Sequence, residues 1–532
     1  MTAPDILLPG TAEQRRTWTQ FFTELDTAHP AQAGPGLYER ARIVLRDGPN
    51  RSNISTDRAA TLTMLAAAAV SEPALFHVLA VHTCLIEPAL TTAAAETGAT
   101  LLQDFQRKLR DADWFGAMVI TEAGAAASQL AVRTTATRAP NGFILDTPDD
   151  AAVKIMANAA LDSPPRLGMV FAEILCDGRP QGVFAFAVPL QDNGIRTEPM
   201  LVHQGMPVDF ARIRFDKVFV PDQAWLHGSA RWEPGRGVCD PAGPGRLGSS
   251  LAPVANMWTA TAVALAACAR AAVTDTIRFA SGRPVRSQHR FGGTLLDQPL
   301  VQHDLATATA FTATASVLAR NLEYAAAPAP GPFHAEWAPF AGVDQHRAVT
   351  KAWIVDAVEQ ILRTCRIRQG SHGFCSPIPG WEALAAGYQA AAGDNTLILL
   401  DCARALTEST PHDDPRNDPH NPLRLLTTRV QRLATELAGL DPADTSWSTY
   451  AVELGRAHGD RLAANAITHA ATRTPELAAA ATLVTATLVD RHLAWYLTQG
   501  LLTTEQAHHL TTTLCRQIPH VLHATHPDPP SR

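Results

Sequence analysis

Ala390-Ala391-Ala392-Gly393-Asp394-Asn395-Thr396 joins an alanine-rich segment to an apolar run that begins at Leu397. Asp394 precedes Thr396 by two residues, the spacing at which a carboxylate caps the first free backbone N–H groups of a helix. A helix is therefore expected to start near Thr396. Ahead of it, Ala390, Ala391 and Ala392 carry only methyl groups. A methyl group cannot accept a proton, so a ligand facing Ala392 meets no base there.

Helical texture surrounds this stretch. Val355, Val358, Leu362 and Cys365 follow 3-4-3 spacing along one helical face. Pro328, Pro330 and Pro332 mark a break between helices, and residues 411–422, with four prolines and several acids, read as a linker. Beyond it, Leu423–Leu440 and Tyr450–His523 read as further helices. Near the N-terminus, Thr56-Asp57-Arg58 precedes an apolar run to Val70, and Leu101–Arg110 is amphipathic. Two-residue alternation lies between these flanks. Thr134–Thr137 and Phe143–Asp146 bracket Asn141-Gly142, a strong hairpin signal because both turn residues tolerate positive φ. Leu167–Ile174, Val183–Val188 and Ala211–Val220 read as more strands. The expected fold is mainly α with a central β-domain: helices over 1–115, a β-unit over 116–225, a helical bundle over 226–410, the linker, and C-terminal helices over 423–532.

Bulk properties exclude several classes. At 532 residues the chain is too long for one small core. A net charge of -7 gives no electrostatic case for nucleic acid or an anionic membrane. Thr61–Val70 and Thr259–Ala272 are broken by polar residues before reaching membrane-spanning length, and no basic-then-apolar leader opens the chain. The eight cysteines form no Cys-x-x-Cys pair, which suits thiols in a reducing cytosol and a cytoplasmic location. Abundant Ala, Thr, Arg and Pro suggest a GC-rich bacterial source.

The opening stretch resembles the Glu-Gly-Asp/Glu-Asn-Thr loop of flavin-dependent acyl-CoA oxidases, with Ala392 at the Glu position. In that family the Glu removes the α-proton of an acyl thioester while the flavin takes a hydride from the β-carbon. A second resemblance is an ordered series. Thr121-Glu122-Ala123-Gly124, Thr134-Thr135-Ala136-Thr137 and Lys154-Ile155-Met156-Ala157-Asn158-Ala159 are similar to three family segments in the same order. The resemblance implies that Thr121 and Gly124 meet the flavin ring and that the stretch with Ala157 and Asn158 lines it. The family's His-Gly pair is Ala125-Ala126 here. Gly205–Asp209 and the strand ending at Pro221 also resemble family segments and support the fold.

Phe279-Ala280-Ser281-Gly282-Arg283 and Arg290-Phe291-Gly292 resemble a segment whose Arg and Phe reach the FAD pyrophosphate and adenosine across a subunit interface. Arg283 and Phe291 take those roles by resemblance, with Arg286 and Arg290 as alternatives for the cation, since a guanidinium pairs bidentately with a diphosphate. Cys365–Gly373 resembles the turn carrying the other FAD contact, which implicates Gly370, His372 and Gly373. Asp394 and Thr396 either cap the helix or meet the cofactor. Ala480–His523 resembles the extra helical domain of the oxidases. Two patterns are set aside: Gly243–Gly248 lacks the strand a dinucleotide loop needs, and His520, His523 and His526 sit in a proline-rich tail.

The resemblance implies FAD as cofactor, an acyl thioester on CoA or acyl carrier protein as substrate, and a homodimer or larger homo-oligomer. It implies chemistry like that of fatty-acid β-oxidation, or its use in bacterial secondary metabolism. The missing base leaves three readings. One is desaturation with a relocated base. Another is flavin-dependent monooxygenation, which needs no α-proton base. The third is a silent flavin-binding subunit of a hetero-oligomer. Some relatives carry the Glu on an earlier helix, corresponding to Leu251–Arg270, but no Glu occurs between Glu233 and Glu323. Glu382 is expected outside the pocket.

Overall fold

The computed structural model describes residues 9–49, 57–125, 132–201, 204–243, 246–286, 293–325, 342–408 and 421–525. Five helical segments open it: Ala12–Ala28, Pro35–Asp47, Arg58–Ser71, Pro73–Thr97 and Thr100–Arg110. Asp57 caps the third by accepting from the amides of Ala59 and Ala60. Pro73–Thr97 widens to π-helical geometry over Val81–Ile86, a local expansion that is common near functional sites. The sequence reading passed over this helix. It and Val254–Gly282 are long and apolar enough to cross a membrane, yet 83% and 78% of their apolar windows are buried inside the chain.

The β-unit follows as two sheets. The larger has the order β10-β6-β5-β2-β3-β9, with β1 pairing parallel to β5. Its strands are β1 Phe115–Val119, β2 Thr135–Ala139, β3 Gly142–Asp146, β5 Arg166–Cys176, β6 Arg179–Pro189, β9 Val218–Pro221 and β10 Trp225–Leu226. The smaller sheet runs β4-β8-β7, with β4 Lys154–Asn158, β7 Ile195–Pro199 and β8 Phe210–Phe215. The expected hairpin is β2–β3, and Asn141 takes φ 59° in its turn. The run Ala211–Val220 is not one strand. It breaks at Asp216-Lys217, where Lys217 adopts φ 51°, and its halves enter different sheets. Its alternation survives in β8, where Ala211, Ile213 and Phe215 are buried and Arg212 is exposed.

Helices Val254–Gly282, Pro299–Tyr324, Gln345–Gln369 and Asn395–Glu408 form the bundle beside the sheets. Val355, Val358, Leu362 and Cys365 are all buried, as their spacing predicts. Pro422–Ala438, Thr445–Arg473, Ala478–Asp490, Leu493–Thr498 and Thr504–Thr525 follow, packing on Pro299–Tyr324 and Asn395–Glu408. Pro422 begins a helix instead of ending the linker, its missing N–H harmless in the first turn. The proline break at 328–332 and residues 409–420 lie outside the described residues.

Candidate active site

A cavity of about 330 Å³ opens where β4, β8, the Pro73–Thr97 helix, the start of Val254–Gly282 and the loop 387–393 converge. Its wall includes Thr121, Ile155, Met156, Asn158, Val254, Met257 and Ala390–Gly393. Three sequence-singled positions that are far apart in the chain, Thr121, Asn158 and Ala392, thus meet around one space. No Asp, Glu, Lys or Arg is among its described lining residues. The helix position proposed for a relocated base contributes apolar Val254 and Met257. Glu382 is turned away, its carboxylate held by Arg366 Nε at 2.9 and 2.8 Å.

The loop bearing Ala392 is held by its backbone. Ala392 sits at φ 55° and Gly393 at φ 91°, left-handed conformations that strain an alanine. Trp258 Nε1 donates to the Ala392 carbonyl at 2.7 Å. Lys351 Nζ donates to the carbonyls of Ala391 at 2.9 Å and Gly393 at 3.0 Å, and to Asn395 Oδ1 at 2.9 Å. Lys351 is wholly buried. Burial pushes its ammonium down to about 7, against the opposite pull of Asp394 and Asp356. Asp394 is the expected cap: its Oδ1 accepts from Thr396 N at 2.8 Å and Leu397 N at 3.3 Å. Thr396 is exposed, and neither residue lines the cavity.

On the opposite wall, β4 carries a register shift between Lys154 and Ala157, and Met156 within it takes φ 64° with 48% of its surface exposed. A bulge of this kind re-aims backbone toward a site. The stretch is anchored by Lys154, fully buried, whose Nζ donates to Glu122 Oε1 at 2.8 Å and to the Ile120 carbonyl at 3.1 Å. Glu122 also accepts from the amides of Arg133 at 2.7 Å and Thr134 at 2.9 Å. Burial lowers Lys154 to about 8 while Glu122 pulls the other way. Ala157 is buried in the ladder opposite Ala211. Gly124 serves packing: a Cβ there would lie 2.4 Å from that of Ala151. Ala126 lies outside the described residues.

Asn158 is positioned by a network of which the sequence reading singled out only Asp209, as a fold residue. Its Nδ2 donates to the Gly116 carbonyl at 3.3 Å, and its own carbonyl accepts from Arg166 Nε at 3.0 Å. Arg166 pairs with Asp209 at 3.2 Å and lies 3.7 Å over the Tyr38 ring, while Tyr38 donates to Asp209. Two further polar residues, His77 and Tyr388, line the cavity and were missed. The available signal was a polar ring inside the apolar run Ala74–Ile86, which reads equally as a core histidine.

The remaining positions gather elsewhere. His372 stacks on Phe279 at 5.2 Å and 5°, and Arg283 lies 5.1 Å over the same ring. Gly370 takes φ 60° at the end of Gln345–Gln369, and a Cβ on Gly373 would lie 2.4 Å from the Arg366 carbonyl. Arg290 and Phe291 lie outside the described residues. Phe279 and Arg283 lie at the far end of the Val254–Gly282 helix from Met257, so this cluster is separate from the cavity lining.

No protein-family model matches the chain, and no curated protein matches it. Solved structures do. Acyl-CoA oxidase 3 from Yarrowia lipolytica is 19% identical, with a TM-score of 0.79 over 98% of this chain and 87% of that one. Acyl-CoA oxidase 1 of Arabidopsis thaliana is 16% identical, with a TM-score of 0.79 over 98% and 90%. Acyl-CoA oxidase-2 of Caenorhabditis elegans, solved with FAD, ascaroside-CoA and ATP, is 16% identical, with a TM-score of 0.78 over 97% and 86%. Over nearly its whole length, this chain has the acyl-CoA oxidase fold.

Proposed function

We propose that the protein is a FAD-dependent oxidoreductase acting on an acyl thioester, carried on CoA or on a carrier protein. The observation that carries this reading is the convergence of Thr121, the bulged β4 stretch through Asn158, and the Ala392 loop on one cavity. The residues suit an isoalloxazine ring. The volume falls within the range of small-ligand pockets, the loop wall is methyl and glycine, and the β4 bulge turns backbone toward the space. Thr121, Met156 and Asn158 would hold the ring, and bound flavin would supply the two-electron acceptor.

Arg283, Phe279, His372 and Gly370 would hold the pyrophosphate and adenosine end. By the resemblance, that cluster would serve the cavity of a second copy, making the working unit a homodimer. A monooxygenase reading is favoured by one observation, the carboxylate-free lining, because oxygen transfer from a reduced flavin needs no α-proton base.

The test loads the protein with FAD and follows flavin absorbance with octanoyl-CoA under anaerobic conditions. Bleaching is the expected result. Bound flavin that stays oxidised with the thioester, but reacts with oxygen after chemical reduction to give a hydroperoxide-like transient, replaces desaturation with oxygenation. Failure to retain FAD removes both readings.

A further inference from the structure

We infer that His77, steadied by Tyr388, is the proton acceptor of this cavity, with Nε2 taking the α-proton of the acyl thioester. The inference rests on the acyl-thioester reading above and supplies the base that Ala392 lacks. Among the described lining residues only His77 and Tyr388 carry a titratable group. They arrive from separate elements. His77 lies one turn before the π-helical segment of Pro73–Thr97, and Tyr388 ends the Ile378–Gly387 helix, four residues before Ala392.

Geometry fixes the imidazole. Its Nδ1 lies 3.3 Å from the Tyr388 hydroxyl, and Phe210 packs edge-on against the ring at 5.5 Å and 77°. With Nδ1 occupied by the phenol, Nε2 is the nitrogen that a cavity ligand meets. When Nδ1–H donates to the Tyr388 oxygen, Nε2 holds the lone pair a base requires. Electrostatics agree. Burial alone pushes His77 down to about 4, with no charged neighbour contributing, so the ring is neutral at pH 7. Burial likewise raises the Tyr388 phenol and lifts the nearby Cys84 thiol to about 12, leaving both uncharged. A neutral, desolvated imidazole is a weak base and acts only on an acidified carbon such as that α to a thioester.

The step balances. The Cα–H bond breaks, its proton passes to Nε2 and its electron pair enters the new Cα=Cβ bond. The β-hydrogen would leave with its electron pair, and bound flavin would supply the two-electron acceptor, so the two electrons the substrate loses are accounted for. The proton on Nε2 returns to water after product leaves.

The test uses the FAD-loaded full-length protein with octanoyl-CoA in D2O. It measures α-deuterium incorporation by mass spectrometry, flavin bleaching and flavin content. His77→Gln is expected to keep flavin while slowing exchange and bleaching by about 10²–10⁴-fold. Tyr388→Phe, which leaves Nδ1 without its partner, is expected to slow both by a smaller factor and to shift the pH midpoint of exchange. His77→Gln with Ala392→Glu is expected to recover exchange, which a merely structural histidine would not allow. Wild-type exchange rates in flavin-bound His77→Gln overturn the assignment. Wild-type protein that holds flavin but neither exchanges nor bleaches overturns the thioester reading itself, and this inference with it.

Discussion

The cavity at Ala392 and a second one of about 570 Å³, between the Gln345–Gln369 helix and Thr445–Arg473, differ throughout their polar linings. The first presents alanines, methionines and neutral polar groups. The second presents Asp356, Glu359, Glu453 and Asp460 against Arg363, Arg456, Arg491 and His492. Gln389 joins them. Its Nε2 donates to Asp356 at 2.8 Å and to Glu359 at 2.9 Å, and its Oε1 accepts from Asn395 Nδ2 at 2.8 Å. Charge is thus kept one layer behind the loop, whose carbonyls are satisfied by Lys351 and Trp258. The lesson is a division of labour. A joint between helices tolerates many charges because opposite signs compensate in reach of solvent, whereas a pocket for chemistry at a carbon atom needs low dielectric and few fixed charges.

Inverting that difference should have the largest effect. Met257→Lys places an unpaired ammonium in the neutral cavity and is expected to destabilise the fold by about 4 kcal/mol. Denaturant unfolding measures it, and a loss under 1 kcal/mol would mean that water already fills the space.

Cutting the layer between the cavities comes next. Lys351→Met strips the donor from three acceptors and is expected to lose about 3 kcal/mol. The loss should be accompanied by increased hydrogen exchange in residues 389–396. Protection unchanged in that loop would show that the clamp is dispensable.

Asp460 tests the charged side. Trp353 Nε1 donates to its Oδ1 at 2.9 Å, and burial pushes its carboxyl up to about 6. Its folded value lies above the ordinary carboxylate one, so its contribution to stability is full below about pH 4 and is lost as pH rises through 6. Asp460→Asn keeps the acceptor and removes the charge. It should therefore gain stability relative to wild type between pH 4 and 6, levelling on the order of 2 kcal/mol above that. A gain independent of pH contradicts the assignment. Least affected should be Arg363→Ala on the exposed rim, within about 0.5 kcal/mol by thermal unfolding. A larger loss would mean that the seam depends on individual ion pairs.

Much of this architecture was legible in local patterns. The Asn141-Gly142 hairpin, the face Val355–Cys365 and the Asp394 cap need only neighbours a few residues away, so backbone sterics and periodicity declare them. The inert wall at Ala392 is equally plain, since a methyl side chain carries its chemistry wherever it is placed. The split of Ala211–Val220 was hidden because alternation reports which residues point inward, not which sheet receives them. Gly124 shows a related limit: its close approach to Ala151 looks the same in sequence as close approach to a ligand.

From the sequence alone came the helical flanks around a central β-unit, the amphipathic faces, and the absence of a carboxylate at position 392. Tertiary structure alone decided that Lys351 and Trp258 hold that loop, that Arg166 and Asp209 position Asn158, and that His77 meets Tyr388. All of those pairs except Arg166 with Asn158 are separated by tens to hundreds of residues, and a buried polar group finds such a partner only when packing has closed the intervening chain.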